Sequence, residues 1–226
     1  MKKVLLAIVF PVAAISLSLM AAGQTGASSP QDQPSPADQL LDAAHNGDAA
    51  AVEQLLGKGV SIDAKGKDGL TALIAASAMG KIDVVKQLLA KGASIDLKDN
   101  QGDTALSFAV MISNIEEAKL LLAKGANVNV QEENGLSPLM LSVVSGSVEL
   151  VKLMLDNGAK TEARDIHGFT ALMAASGGGL TEIVKLLLDR GANIDAKSED
   201  GTTALKLSIS NRKPEVEKLL REKGAH

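Results

Sequence analysis

The chain has 226 residues, 46% of them hydrophobic and 22% charged, with 21 Gly, 6 Pro, three Phe and no Cys, Trp or Tyr. The missing cysteines exclude disulfides, thiolate metal sites and thiol nucleophiles, and a formal charge of −4 argues against a nucleic-acid partner held on a broad basic face. An interior almost without rings has to be built from Leu, Ile, Val and Ala, which suits small-residue helices repeated many times.

Residues 1–23 begin with Lys2 and Lys3, continue as a charge-free apolar run from Val4 to Ala22, and close on small residues, Ala21 and Gly23. That order predicts a secretory signal peptide cut before Gln24. The alternative is an uncleaved membrane anchor, since about 20 apolar residues just span a bilayer, although Pro11, Ser16 and Ser18 weaken the run. Cleavage removes Lys2 and Lys3 and takes the net charge from −4 to −6. Residues 24–36, QTGASSPQDQPSP, hold three prolines and almost nothing to bury, so a linker is expected there.

From residue 37 to 226 the chain repeats itself. Gly69, Gly102, Gly135, Gly168 and Gly201 are each 33 residues apart, and Gly59, Gly92, Gly125, Gly158, Gly191 and Gly224 form a second series of the same period. Two glycine ladders in register place the copies at 37–68, 69–101, 102–134, 135–167, 168–200 and 201–226. In five of them a hydroxyl follows the first glycine by two residues, at Thr71, Thr104, Ser137, Thr170 and Thr203. A Ser or Thr before an apolar run caps a helix by accepting a backbone N–H bond, so a short helix is predicted after each. Gly80, Gly146 and Gly179 punctuate its end. A second helix follows, with apolar positions such as Ile183, Leu186 and Leu187 at helical spacing, and stops at a glycine of the second ladder, which is expected to be left-handed. Charge pairs three apart recur on it: Asp83 and Lys86, Glu116 and Lys119, Glu149 and Lys152, Glu182 and Lys185, Glu215 and Lys218. Each predicts a surface contact worth about 0.2–0.5 kcal/mol. One helix pair cannot bury its own apolar face, so the copies have to stack.

GLTALIAASAMG, GDTALSFAVMIS, GLSPLMLSVVSG, GFTALMAASGGG and GTTALKLSISNR, followed by ends such as LLAKGASID, LLAKGANVN and LLDRGANID, resemble the ankyrin repeat. The resemblance covers residues 37–226 and implies an all-α solenoid of helix-turn-helix units with β-turn tips, about six repeats with degenerate first and last copies as caps. Two features depart from the family pattern. Its Pro survives only at Pro138, and its His is replaced by Ile74, Ser107, Met140, Met173 and Lys206. That His bridges neighbouring turns, so the stacking hydrogen bonds it supplies are expected to be missing and packing to compensate.

The resemblance also implies a partner-binding surface, made from the turn tips and the exposed side of the first helices. The tip positions are Leu70, Asp103, Leu136, Phe169 and Thr202; the helix positions include Met79, Met111, Ile112, Val144 and the glycines 177 and 178. Leu70, Met79, Met111, Ile112, Leu136, Val144 and Phe169 would form an apolar stripe of the kind that marks contact sites, with Asp103 among them. The competing reading is that some of these side chains pack between adjacent repeats. Phe169 beside the glycines at 177–179 has the makings of a hot spot.

No motif for catalysis accompanies the repeats. Gly177-Gly178-Gly179 is followed by Leu180 and Thr181 rather than by the Lys-Ser/Thr of a phosphate loop. His45, His167 and His226 are isolated, and no serine sits in a Gly-x-Ser-x-Gly elbow. The expectation is a monomeric, non-enzymatic module without metal or cofactor, exported to the periplasm or beyond, that docks a protein partner. Membrane contact is expected only if residues 1–23 stay attached.

Overall fold

The computed structural model describes residues 34–226. The expected signal segment and residues 24–33 of the expected linker lie outside the described residues. Twelve helices follow in six pairs: α1 Pro36–Asn46 with α2 Ala49–Gly57, α3 Ala72–Ala78 with α4 Ile82–Ala90, α5 Ala105–Met111 with α6 Ile115–Ala123, α7 Pro138–Val144 with α8 Val148–Asp156, α9 Ala171–Gly178 with α10 Thr181–Asp189, and α11 Ala204–Ser210 with α12 Pro214–Glu222. α1 begins at Pro36, inside the segment expected to be linker, because Ser35 and Asp38 cap each other's backbone N–H groups around it.

The hydroxyl caps act as the sequence implies. Thr71, Thr104, Ser137, Thr170 and Thr203 accept from the backbone N–H of Ile74, Ser107, Met140, Met173 and Lys206, at 3.2–3.4 Å. Behind its cap α7 buries larger residues, Leu139, Met140 and Leu141, but behind several others the helix is rich in small buried residues, such as Ala72, Ala75 and Ala76 in α3 and Ala171 and Ala175 in α9. These let first helix pack closely on first helix along the stack, while the second helices touch more loosely through Leu88, Leu121, Met154 and Leu187. Most of the buried side chains form one continuous core running the length of the stack.

Gly125 and Gly158 close their helices at φ +92° and +83°, as expected of the second ladder. The end of the first helix is less uniform. Where other copies have Gly80, Gly146 and Gly179, the third has Ser113 at φ +58° and the sixth has Arg212 at φ +55°. Left-handed backbone costs an L-residue about 1–2 kcal/mol, partly offset by the lower chain entropy of a non-glycine in the unfolded state. Ser113→Gly is therefore expected to stabilise the stack by about 0.5–1 kcal/mol, read as a raised urea midpoint; an unchanged or lowered midpoint would contradict the strain.

The turn-bridging hydrogen bonds are not lost with the family's His; other groups make them. Backbone N–H groups of Asn100, Glu133, Ile166 and Glu199 donate to the carbonyls of Asp68, Gln101, Asn134 and His167 in the preceding tip, at 3.0–3.1 Å. Beside this runs a side-chain relay. Lys65, Lys98, Gln131 and Arg164 each donate to the carbonyl of the equivalent residue one repeat on, Lys98, Gln131, Arg164 and Lys197, at 2.7–2.9 Å. The bridging donor has moved from the start of the first helix to the strap leading into the tip.

The charge ladder is corrected too. Asp83–Lys86 and Glu116–Lys119 meet at 3.8 and 3.6 Å, but the other three expected pairs are not among the ion pairs of the described residues. Of these charges, Glu149 reaches across repeats to Lys119 at 3.1 Å, and residues outside the ladder do the same: Glu53–Lys91 at 2.9 Å, Asp156–Arg190 at 2.8 Å and Asp189–Lys223 at 3.6 Å. Adjacent second helices lie side by side, and a long side chain gains a partner there that its own helix offers at poorer geometry. All lie at the surface, where screening by water leaves each a small contribution.

Candidate functional site

The tips and the ends of the first helices lie along one side of the stack, and the eight candidate residues divide there into two groups. Met79, Ile112 and Val144 point to solvent, at 45%, 39% and 39% exposure. Leu70 and Leu136 are only 8% exposed and Asp103 only 5%. Met111 and Phe169 are half-buried. Leu70 joins Ile74 and Phe108 in a small separate core, with Leu41, Ala78 and Met111 against it. At the N-terminal end of the stripe, packing between adjacent repeats is therefore what holds Leu70 and Met111.

Asp103 does not offer its carboxylate to a partner at all. It is buried against Glu132 of the next tip, and neither Asp103 Oδ1 nor Glu132 Oε1 has a donor. Two carboxyls that close, largely removed from water, cannot both ionise: burial raises both, Asp103 raises Glu132 further, the Asp99 charge adds to each, and the pair holds a proton between them. The pair clips the third tip to the fourth.

The C-terminal half of the stripe is assembled as a groove. Leu136, Met140 and Val144 form one wall, Phe169, Met173 and Ala174 the floor, and Leu207 and Ile209 the far wall, around a hollow of about 440 Å³. Asp165, Asp200 and Lys206 stand at the tip side and Ser210 and Asn211 at the other. The hollow exists because Gly177 sits where Ala78, Met111, Val144 and Ser210 stand in other copies, one period away.

The backbone of Phe169 is fixed by its turn. Asp165 Oδ1 accepts from the N–H groups of His167 and Phe169 at 2.9 and 2.8 Å, and the Phe169 carbonyl accepts from Asp165 N–H at 3.1 Å. The same side chain to tip arrangement fixes Leu136 through Asn134 and Thr202 through Asp200, at 2.8 and 3.0 Å. Asp200, accepting from Ser198 and Thr202, keeps its charge down to about pH 2. A floor whose aromatic stands on a hydrogen-bonded turn is in place before a partner arrives.

Six capped helix pairs with a stacked tip ladder describe one family, and its sequence profile agrees. The model for ankyrin repeats (3 copies) matches residues 40–132, 76–165, 108–198 and 139–226. The chain belongs to the ankyrin-repeat family. Comparison with curated proteins finds no match. An ankyrin-repeat stack is a protein–protein interaction module, and such proteins are typically binding modules without catalysis.

Two further residues of this ankyrin-repeat chain take on their meaning in the stack. Ile209, 45% exposed on the far wall of the groove, lies one repeat beyond the stripe. Glu117 is fully buried in α6 at a position occupied by Val84, Leu150, Ile183 and Val216 in other copies. The sequence carries that signal plainly, as one acid in an otherwise apolar column. Glu117 Oε2 accepts from Asn114 Nδ2 at 3.0 Å, while Oε1 and the neighbouring Ser77 hydroxyl remain unpartnered. Burial pushes its carboxyl up to about 7.

Proposed function

We propose that the protein is exported by cleavage of residues 1–23 and acts outside the cytoplasm as a non-enzymatic docking protein, seating a protein partner in the groove of its last three repeats. The observation that carries this reading is the groove itself. Apolar side chains of three repeats converge on one hollow, with Val144 and Ile209 exposed at its edges although a solvated surface would favour polar residues there. The stack supports the surface without induced folding, so a partner meets a preformed site. The apolar run of residues 4–22 supports export, to the periplasm or beyond.

Capture from an envelope extract tests the docking reading. Residues 24–226 are expected to recover a protein that a Val144→Ser, Phe169→Ser, Ile209→Ser variant of equal helicity loses. Leu70 and Leu136 are unsuitable probes, because serine at either would destabilise a buried contact as well as change the surface. Equal recovery by both would place the interface elsewhere on the stack. The intact mass of the envelope-associated protein tests export: a chain starting at or near Gln24 is expected, and one retaining Met1–Gly23 would establish the anchored form instead.

A further inference from the structure

Gly177 and Gly178 occupy the last turn of α9, where helix geometry does not require glycine. Neither has a positive φ, and a Cβ on Gly177 would meet only Asn211 Nδ2 at 3.2 Å and Leu207 Cβ at 3.7 Å. Asn211 Nδ2 donates to the Gly177 carbonyl at 3.0 Å, and a shift of a few tenths of an ångström in that amide would admit alanine. The equivalent pairs in other copies are Ala78-Met79, Met111-Ile112, Val144-Ser145 and Ser210-Asn211, so the fold accepts side chains here. Glycine in a helix costs about 0.5–1 kcal/mol relative to alanine. What Gly177 creates is the hollow bounded by Phe169, Met173 and Leu207.

The mouth of that hollow has a sign. Asp165 and Asp200 stand on its tip side, each using Oδ1 to tie its own turn. The cation lining the mouth beside them, Lys206, donates its Nζ to the Gly201 carbonyl at 2.9 Å, which turns it back toward its own turn. The mouth is left with a net negative charge against an apolar floor, on a chain whose overall charge is also negative.

We propose that the groove takes a partner segment that presents one large apolar side chain, seated over Gly177 against Phe169 and Met173, with a lysine or arginine next to it that meets Asp165 and Asp200. This rests on the docking reading above and names the chemistry of the partner at that site. The anchor fills a preformed apolar hole, and the basic neighbour selects the register and excludes acidic segments.

The protein has no Trp or Tyr, so tryptophan in a probe peptide reports binding without background. Three otherwise identical alanine-rich peptides, with a central Trp flanked by lysines, serines or glutamates, are titrated with residues 24–226 by fluorescence anisotropy. The lysine peptide is expected to bind at least about tenfold tighter than the glutamate peptide, with the serine peptide between, and the difference is expected to shrink as salt is raised. Gly177→Leu, which fills the hole and favours the helix, is expected to abolish binding of all three while keeping full helicity. Asp200→Asn, which retains the turn acceptor and removes the charge, is expected to narrow the lysine-to-glutamate ratio without changing binding of the serine peptide.

A ratio near one, binding that survives Gly177→Leu, or no binding of any peptide would overturn the proposal. So would self-association of the protein that Gly177→Leu abolishes, which would make a second copy the occupant. The docking reading fails separately: if capture of a partner depends on Val144, Phe169 and Ile209 but the peptides show no charge preference, only this inference falls.

Discussion

Replacing Glu117 with leucine is expected to raise the stability of the stack strongly at pH 8 and only slightly at pH 5. The carboxyl is fully buried, with Asn114 and Ser77 as its polar neighbours, and its folded-state value is about 7, against 4.5 in the unfolded chain. As pH rises through that window the unfolded state releases its proton first, and the folded state is penalised for holding a group it cannot readily ionise. Because the folded value is raised, stability is lost with rising pH between about 4.5 and 7 and stays low above it. At about 1.4 kcal/mol per unit, the loss at pH 8 is on the order of 3 kcal/mol. Leucine removes it and restores the apolar column of Val84, Leu150, Ile183 and Val216.

Glu117→Gln separates charge from packing, because it keeps an acceptor for Asn114 and a donor for Ser77. Both variants should flatten the decline of the urea midpoint between pH 5 and pH 8. Some slope should remain, since the Asp103–Glu132 pair is raised in the same direction. A Glu117→Leu protein no more stable than the parent at pH 8, or with an unchanged pH slope, would mean that the carboxyl reaches water.

Gly135→Ala is expected to be strongly damaging for a single methyl. The residue has φ +79°, which costs an L-residue about 1–2 kcal/mol. The larger effect comes from the neighbour above. A Cβ at Gly135 would lie 2.8 Å from Asp165 Cα and 2.9 Å from Asp165 C and Ile166 N, all backbone atoms that cannot rotate aside. Relieving the overlap would part the fourth and fifth tips, breaking the Ile166 N–H to Asn134 bond and shifting the turn that sets Phe169. The destabilisation should exceed about 3 kcal/mol.

Gly201 is the internal control. It belongs to the same ladder, with φ +73°, but a Cβ there would meet nothing within 4 Å, since none of the described residues packs against that tip as Asp165 packs against Gly135. Gly201→Ala should therefore carry the backbone cost alone. Urea unfolding of the two variants reads the difference, and for Gly135→Ala the transition should also broaden as the coupling between the two halves of the stack weakens. Equal midpoints would show that the tips are not in close backbone contact.

Much of the fold is legible in the residues. Thr71, Thr104, Ser137, Thr170 and Thr203 cap because a hydroxyl two residues past a glycine and ahead of an apolar run acts through its own backbone neighbours. The glycine ladders are equally local in their φ, and a 33-residue period leaves stacking as the only way to bury the apolar faces. Val144 and Phe169 stand beside the hollow at Gly177, as their places in the repeat imply. Leu70, Asp103 and Met111 are harder to read, because equivalent positions in successive copies share a backbone place without sharing surroundings. Leu70 is covered by Ile74 and Phe108, whereas Val144 faces the gap left by Gly177.

Helix positions, caps and turns are thus determined within one repeat, by interactions between residues a few places apart. Which tip residue is buried, which donor replaces the missing His, and where a row of similar side chains opens into a groove are settled between repeats. Lys98 finds the Gln131 carbonyl, Asp103 finds Glu132 and Gly177 leaves room beside Leu207 only once the copies are stacked. The period specifies that each unit has a neighbour; the packed side chains of that neighbour decide what each position becomes.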